Sequence, residues 1–506
     1  PGLGAFKGLN PRKIGLGSFL LIVLCRLPGF LAYYPGICAY DVTLQTGQIV
    51  DHSYNTHHPL AHTLLMAGSM KLGEKVFGDA NTGIAIMTFL QVLALAAAFA
   101  WCMARLWERN IRKGLMICLQ LFGMFYPFHL YMSVSVTKDA VFSIFFLLQT
   151  VLLCEMVLEA VTNTASGKKK RLQSKDIVFF IVSVGMQLFR NNGRYAMLVL
   201  FVILAIAAVF GKGKRLFYAG LCVNCAVSLI AGLLLLAGLV RVTDAQPGDS
   251  REMLSMPIQQ FARCMLYHGD VGMYAEDDGT MDLRDRALIN DFLLDEGYRE
   301  YRPEISDPVK AHTNTYVARY RAKEFIQTYL RLLGSYPGDF INAELAVNAG
   351  YLYVWDVTHA HVNENGKDKG LGYVQTRWVD GELNPRGLYQ DSKWTSLHEL
   401  LERWADENTY LRHPILKYLF VPGVFLWLYL LLMARLVARR QYGRCIPLFL
   451  VIGYYATLFL GPVVQLRYLY PLMLALPFVV LELGCGGEAM KDEAVKEAVV
   501  KDEAME

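Results

Sequence analysis

Long apolar blocks alternate with short charged stretches along most of this chain. The first block runs from Ile14 to Tyr34. Others cover 84–106, 115–132, 140–160, 177–189, 195–210, 216–240, 414–437, 445–461 and 468–483. About 20 apolar residues cross the hydrocarbon core of a bilayer as a helix, so the pattern predicts ten spans, with 177–189 short. The blocks 177–189 and 195–210 meet at the polar knot FRNNGRY and read as a tight helical hairpin. His62–Phe77 is amphipathic and too polar to span, so it reads as an interfacial helix.

Charge then orients the spans. Lys7, Arg12 and Lys13 precede the first, and Arg105, Arg109, Arg112 and Lys113 follow the second. Lys168, Lys169, Lys170, Arg171 and Lys175 fill the loop 161–176; Lys212, Lys214 and Arg215 follow the sixth span. Arg435, Arg439, Arg440 and Arg444 separate the eighth from the ninth. With both termini in the cytoplasm, every cluster falls on the cytoplasmic side, as the positive-inside rule asks. The expected layout is an N-terminal membrane module over 1–240 with a first outer loop at 35–81. An extracytoplasmic domain over 241–412 follows, then a membrane module over 413–483 and a charged cytoplasmic tail over 484–506. The domain reads as mainly helical, with helices at Ser255–Tyr267, Asp282–Leu294 and Tyr316–Leu333 and long loops, with room for short strands, over 357–396. Gln259 and Gln260 are expected on the solvent face of its first helix. The tail repeats a KDEAV-like unit and reads as a solvated helix or disorder.

Composition agrees: 54% of the 506 residues are hydrophobic and 19% charged, which places the chain in the membrane class. A net charge of +4 gives no reason to expect nucleic acid. Most of the ten cysteines lie inside apolar runs and have no zinc spacing. The first apolar run is long enough to stay as an anchor. The chain begins at Pro1, so a short preceding piece is expected. No internal repeat of transporter type is visible.

The stretch YYPGICAYDVTLQTGQIVDHSYNTHHPLAH (33–62) concentrates groups that membrane chains avoid: Asp41, Asp51, His52, His57, His58 and His62. Pro35-Gly36 ends the first helix, which makes the stretch a polar loop at one membrane face. Lys138, Asp139, Arg190, Arg194 and Arg467 fall on the same side, near helix ends. Four cations there run against the positive-inside bias. Cations facing a carboxylate suit the transfer of a group from a phosphate. The cations stabilise the leaving group, and the carboxylate, here Asp41, deprotonates the incoming hydroxyl. Asp41 as a loop cap after Pro-Gly is the plainer alternative. His57-His58-Pro59 reads as a helix start or, with His62, as part of a metal site; without further strong ligands nearby, a divalent metal is not favoured. Arg26, within the first span, is expected to pair with a carboxylate or to face a cavity.

These elements in this order resemble the GT-C glycosyltransferases, multi-span enzymes that use lipid-phosphate-linked sugars. The resemblance rests on YPGICAYD, the HHP element, TKDAVF at the fourth span, a polar domain inserted late, and RYLYP (Arg467 to Pro471) opening the last span. Within the group the chain looks like a bacterial branch with LFRNNGRY, MPIQQFAR (Met256–Arg263) and SDPVK (Ser306–Lys310). The resemblance implies an all-α polytopic fold, with Asp41 as base and Arg467, beside Tyr468, gripping the lipid phosphate. Sidedness adds Lys138, Asp139, Arg190, Arg194, His57 and His58 as substrate-binding candidates. No DxD element is present in the first loop, which favours the protein-mannosyltransferase or aminoarabinose-transferase style with no cofactor. The expected partners are a polyprenyl-phosphate sugar, an extracytoplasmic glycan, lipid or protein acceptor, and the bilayer of the cell membrane. A polymerase or ligase using polyprenyl diphosphate, a transporter or flippase, and a non-catalytic scaffold are the alternatives.

Overall fold

The structure is a computed structural model. It describes residues 10–162, 173–211, 213–269, 279–355, 388–406 and 413–503, the last 485–503 by backbone alone. The basic run at 168–171, Lys212, most of the predicted loop 357–396 and the end of the tail lie outside the described residues.

Among the described residues there is no strand, only isolated bridges between helices. The first helices are α1 (Pro11–Ala32), α2 (Tyr40–Val50), α3 (Leu60–Phe77) and α4 (Ala80–Glu108). They are followed by α5 (Lys113–Phe125), α6 (Pro127–Val134), α7 (Lys138–Thr162), α8 (Ser174–Phe189), α9 (Asn191–Phe210) and α10 (Arg215–Thr243). Six described helices are long and apolar enough to cross a membrane: α1, α4, α7, α9, α10 and the stretch Leu466–Gly484. The bent pair α5–α6 makes up to seven. Apolar side chains face outward on α1 (Leu16, Leu20, Leu24) and α10 (Val223, Val227, Ile230, Leu234). Rows of exposed Leu, Val and Ile on that scale need a lipid solvent. The chain is a multi-pass membrane protein.

A second core is built from α11 (Ser255–His268), α12 (Leu283–Phe292), α13 (Asp307–Ala311), α14 (Thr315–Tyr320), α15 (Ala322–Ser335) and α16 (Pro337–Val347). The predicted helix 316–333 is split at Arg321 into α14 and α15. Gln259 and Gln260 are buried, not on a solvent face. Gln259 Nε2 donates to Arg302 O (2.8 Å), and Gln260 Oε1 accepts from Tyr329 Oη (2.7 Å). A short α17 (Ala349–Leu352) and α18 (Thr395–Asp406) pack on the membrane helices instead. The chain then returns through α19 (Pro422–Ala438), α20 (Ile446–Leu458) and α21 (Leu466–Glu503). Helices α8, α19 and α20, with 16, 17 and 13 residues, cover three predicted spans but are shorter than the others.

The centre is the pair α7 and α21, which pack side by side; 83% of the apolar window of each is buried, against 17% for α10. α4 and α8 flank α7, α1 lies on α4, and α9 packs between α10 and α20.

The third predicted span is broken. α5 and α6 meet at a 50° bend. Pro127 has no N–H to give the carbonyl four residues back, so Gly123 O and Met124 O are left as helix-end orphans. Arg26 of α1 fills the gap: its Nη1 donates to Met124 O (2.9 Å) and its Nη2 to Gly123 O (2.5 Å). Arg26 also lines a small cavity with His129, Ser133 and Tyr470. It therefore faces a cavity, as the sequence allowed, and its bonds go to carbonyls. Arg26→Leu is expected to cost about 2 kcal/mol, the scale for orphaned buried acceptors, while Arg26→Lys costs less. Thermal unfolding midpoints in detergent check this.

Candidate functional site

The stretch after α1 is drawn tight. Gly36 has φ +153°, and a Cβ there would sit 2.7 Å from Thr88 Oγ1 and 2.8 Å from Val136 Cγ2. This close approach lets Ile37 bridge to Ser135: Ile37 N donates to Val134 O and Val136 N to Ile37 O, each at 2.9 Å. Gln91 of α4 holds the same segment by donating to Ser133 O and Ser135 O. The bridge brings residues 38–41 beside the start of α7.

Asp41 then differs from its expected setting. The predicted loop is helical from Tyr40 to Val50, and Asp41 lies in the first turn of α2, with Ala39 as the N-cap. A loop-cap role for Asp41 is therefore not what the chain adopts. A carboxylate in a helix's first turn meets the positive end of the dipole. α2 is fixed by its packing on α3, where Gln45 Nε2 donates to Thr63 Oγ1 (2.8 Å) and meets His62 Nδ1 (3.1 Å).

Four elements converge on Asp41. Lys138 Nζ lies 2.5 Å from Asp41 Oδ2, and Arg467 Nη1 lies 2.8 Å from the same oxygen. Arg467 Nη1 is also 3.5 Å from Asp139 Oδ2. Arg190, the residue between α8 and α9, pairs with Asp139 through Nη1. Tyr468 lies between the two guanidiniums: Arg190 is 4.6 Å and Arg467 4.7 Å from its ring centroid, and its Oη accepts from Arg467 Nη2 (3.0 Å). Arg467 Nε donates to Gln465 Oε1 (2.6 Å). Asp41, Asp139, Arg190 and Arg467 are all buried. Among the described residues, three cations and two carboxylates make up this network.

His58 joins through Lys138, which donates to its Nδ1 (3.1 Å). Lysine has donors only, so Nδ1 accepts and the neutral ring carries its proton on Nε2. His58 Nε2 is buried with no hydrogen-bond partner among the described residues. His57 is exposed and meets His58 in an edge-to-face ring contact. Arg194 reaches Asn191 Oδ1 (3.5 Å) within its own helix instead of the cluster. Asp51 and His52 are exposed beyond α2. Among the described residues, no group of three or more His, Cys, Asp or Glu is placed to hold a metal ion.

Burial works to raise the Asp41 pKa, but Arg467 and Lys138 outweigh it and hold the carboxyl well below its usual range. Asp41 is ionised, and its Oδ2 is occupied by cations.

A second charged cluster, which the sequence reading missed, lies at the other end of the paired stretch of α7 and α21. Glu155 pairs with Arg105 (2.5 Å) and Lys175 (3.3 Å), and Glu482 pairs with Arg109 (2.9 Å). Both carboxylates are fully buried. The signal was acid inside apolar runs: Glu155 and Glu159 in 140–160, and Glu482 in 468–483.

The histidines predict a pH response. Burial, with Lys138 beside it, pushes His58 down to about 2, and the same causes push His62 to about 3. The unfolded chain takes up these protons below about 6.5, and the folded chain refuses them. Stability is thus full above that pH and falls as pH drops towards 3. His58→Gln is expected to flatten the fall by up to about 1.4 kcal/mol per pH unit. Unfolding midpoints measured from pH 7 to 4 check this; an unchanged slope contradicts it.

Comparison with known proteins adds a family. The model of a family of unknown function (DUF6020) matches residues 50–498, a stretch that begins past Asp41 and includes Lys138, Arg190 and Arg467. No curated protein and no solved structure matches the chain. With most of its length matched, this chain belongs to the DUF6020 family.

Proposed function

We propose that the chain is a GT-C-type glycosyltransferase with ten spans and both ends in the cytoplasm, acting at the outer face of the cell membrane. It moves a sugar from a polyprenyl-phosphate donor to an extracytoplasmic glycan, lipid or protein. One observation carries the reading: Asp41 and Arg467, 426 residues apart, meet with Lys138 in one buried network at helix ends. That is what a carboxylate base beside a phosphate grip requires.

In the reaction, the acceptor hydroxyl gives its proton to the Asp41 carboxylate. Its oxygen bonds to the anomeric carbon as the bond from that carbon to the phosphate oxygen breaks. The electron pair leaves with polyprenyl phosphate, whose growing charge Arg467 and Lys138 stabilise. Attack opposite the leaving group inverts the anomeric centre. Arg190 supports a second reading. A third cation in the network suits the greater charge of a diphosphate-linked donor, as in a glycan polymerase or ligase.

Purified protein given a panel of polyprenyl-phosphate and polyprenyl-diphosphate sugars, with an envelope extract as acceptor, is expected to release the lipid phosphate or, from the second series, the lipid diphosphate. Asp41→Asn lowers release by about 10²–10⁴-fold, the usual share of a general base. Release that is indifferent to Asp41→Asn removes the base role, and release from the diphosphate series alone moves the assignment to the second reading. No release from either series overturns both.

A further inference from the structure

We propose that Asp41 and Asp139 are internal counter-ions of an anion site made by Lys138, Arg190 and Arg467, and that an incoming phosphate group takes the place of Asp41 on its cations. The inference rests on the donor-phosphate reading and adds how the site is switched on.

The first argument is desolvation. Arg190 and Arg467 are each 7% exposed. Buried cations without partners are strongly disfavoured, so an empty site needs its own anions. Asp41 and Asp139 supply them.

The second is competition for donors. Lys138 and Arg467 aim at one oxygen, Asp41 Oδ2. All three nitrogens of the Arg467 guanidinium already donate to internal acceptors: Gln465, Tyr468, and the two aspartates. A phosphate oxygen wants these same N–H groups. It reaches them by replacing an acceptor. Asp139 is 0% exposed and held by Arg190, whereas Asp41 is 8% exposed and lies nearer the surface. Asp41 is the one that yields.

The third is supply. His58 Nε2 and Arg190 Nε are buried donors with no acceptor among the described residues. A buried donor without an acceptor is costly, and a bound anion relieves it.

The exchange links two steps. While Lys138 and Arg467 hold it, the Asp41 carboxylate is a weak base. When phosphate takes those cations, Asp41 regains its basicity beside the bound donor. The base becomes competent only when there is a sugar to transfer.

The test is equilibrium binding of farnesyl phosphate, a short polyprenyl monophosphate, to the purified full-length chain in detergent. A competing anion that is removed makes binding tighter; a ligand-holding group that is removed makes it weaker. Asp41→Asn is therefore expected to bind about tenfold more tightly than wild type while losing turnover. Asp139→Asn shifts affinity in the same direction and serves if Asp41→Asn does not fold. Arg467→Gln weakens binding, alone or combined with either. Equal or weaker binding by the Asn variants, with Arg467→Gln still weakening it, overturns the exchange and leaves the donor reading intact. Absence of binding by wild type and by both Asn variants overturns the donor reading, and the exchange falls with it.

Discussion

Charge taken out of water must be neutralised on the spot, and the meeting of Asp41, Asp139, Lys138, Arg190 and Arg467 is where this constraint acts on the fold. The five residues come from α2, α7, the α8–α9 junction and α21. Each element must arrive for the others' charges to be tolerable. Lys138 and Asp139 are neighbours, yet successive helix positions point about 100° apart. Lys138 therefore serves Asp41 while Asp139 serves Arg190 and Arg467. The second core docks on the same end: Ser306 N donates to Pro462 O (2.9 Å), just before Arg467. Residues 54–56 are held by the strand-like exchange with Gln246, which sets His57 and His58 in place.

Much of this was legible in the sequence because its signals are local. Hydropathy marks where a helix must lie, and all ten apolar blocks are helical, the third as a bent pair. Sidedness grouped Asp41, Lys138, Asp139, Arg190 and Arg467, since helix direction alone fixes which ends meet. The tight junction at Arg190 followed from a polar knot between two apolar runs.

What was not legible depends on contacts distant in sequence. Tyr40–Val50 has β-branched and polar residues and no helical face of its own; packing on α3 and the Gln45 hydrogen bonds make it helical. Gln259 and Gln260 look like a wet face until Tyr329 and Arg302 are brought to them. Sidedness put Arg194 with Arg190, but Arg190 precedes α9 in extended backbone, whereas Arg194 lies within the helix and reaches Asn191. Glu155 and Glu482 were absorbed into their apolar blocks because their partners lie on other helices.

The pairing of α7 with α21 has a mechanical meaning. The two helices run parallel. Asp139 and Arg467 join them at one end, and Arg105 and Arg109, at the end of α4, hold Glu155 and Glu482 at the other. The fastened points are about 24 Å apart along α7 and about 22 Å along α21, at 1.5 Å per residue. A strut bolted at both ends cannot ratchet. Sliding either helix by one turn, about 5.4 Å, strips charges from their partners at both ends together. The paired helices at the core of this protein are therefore a fixed frame.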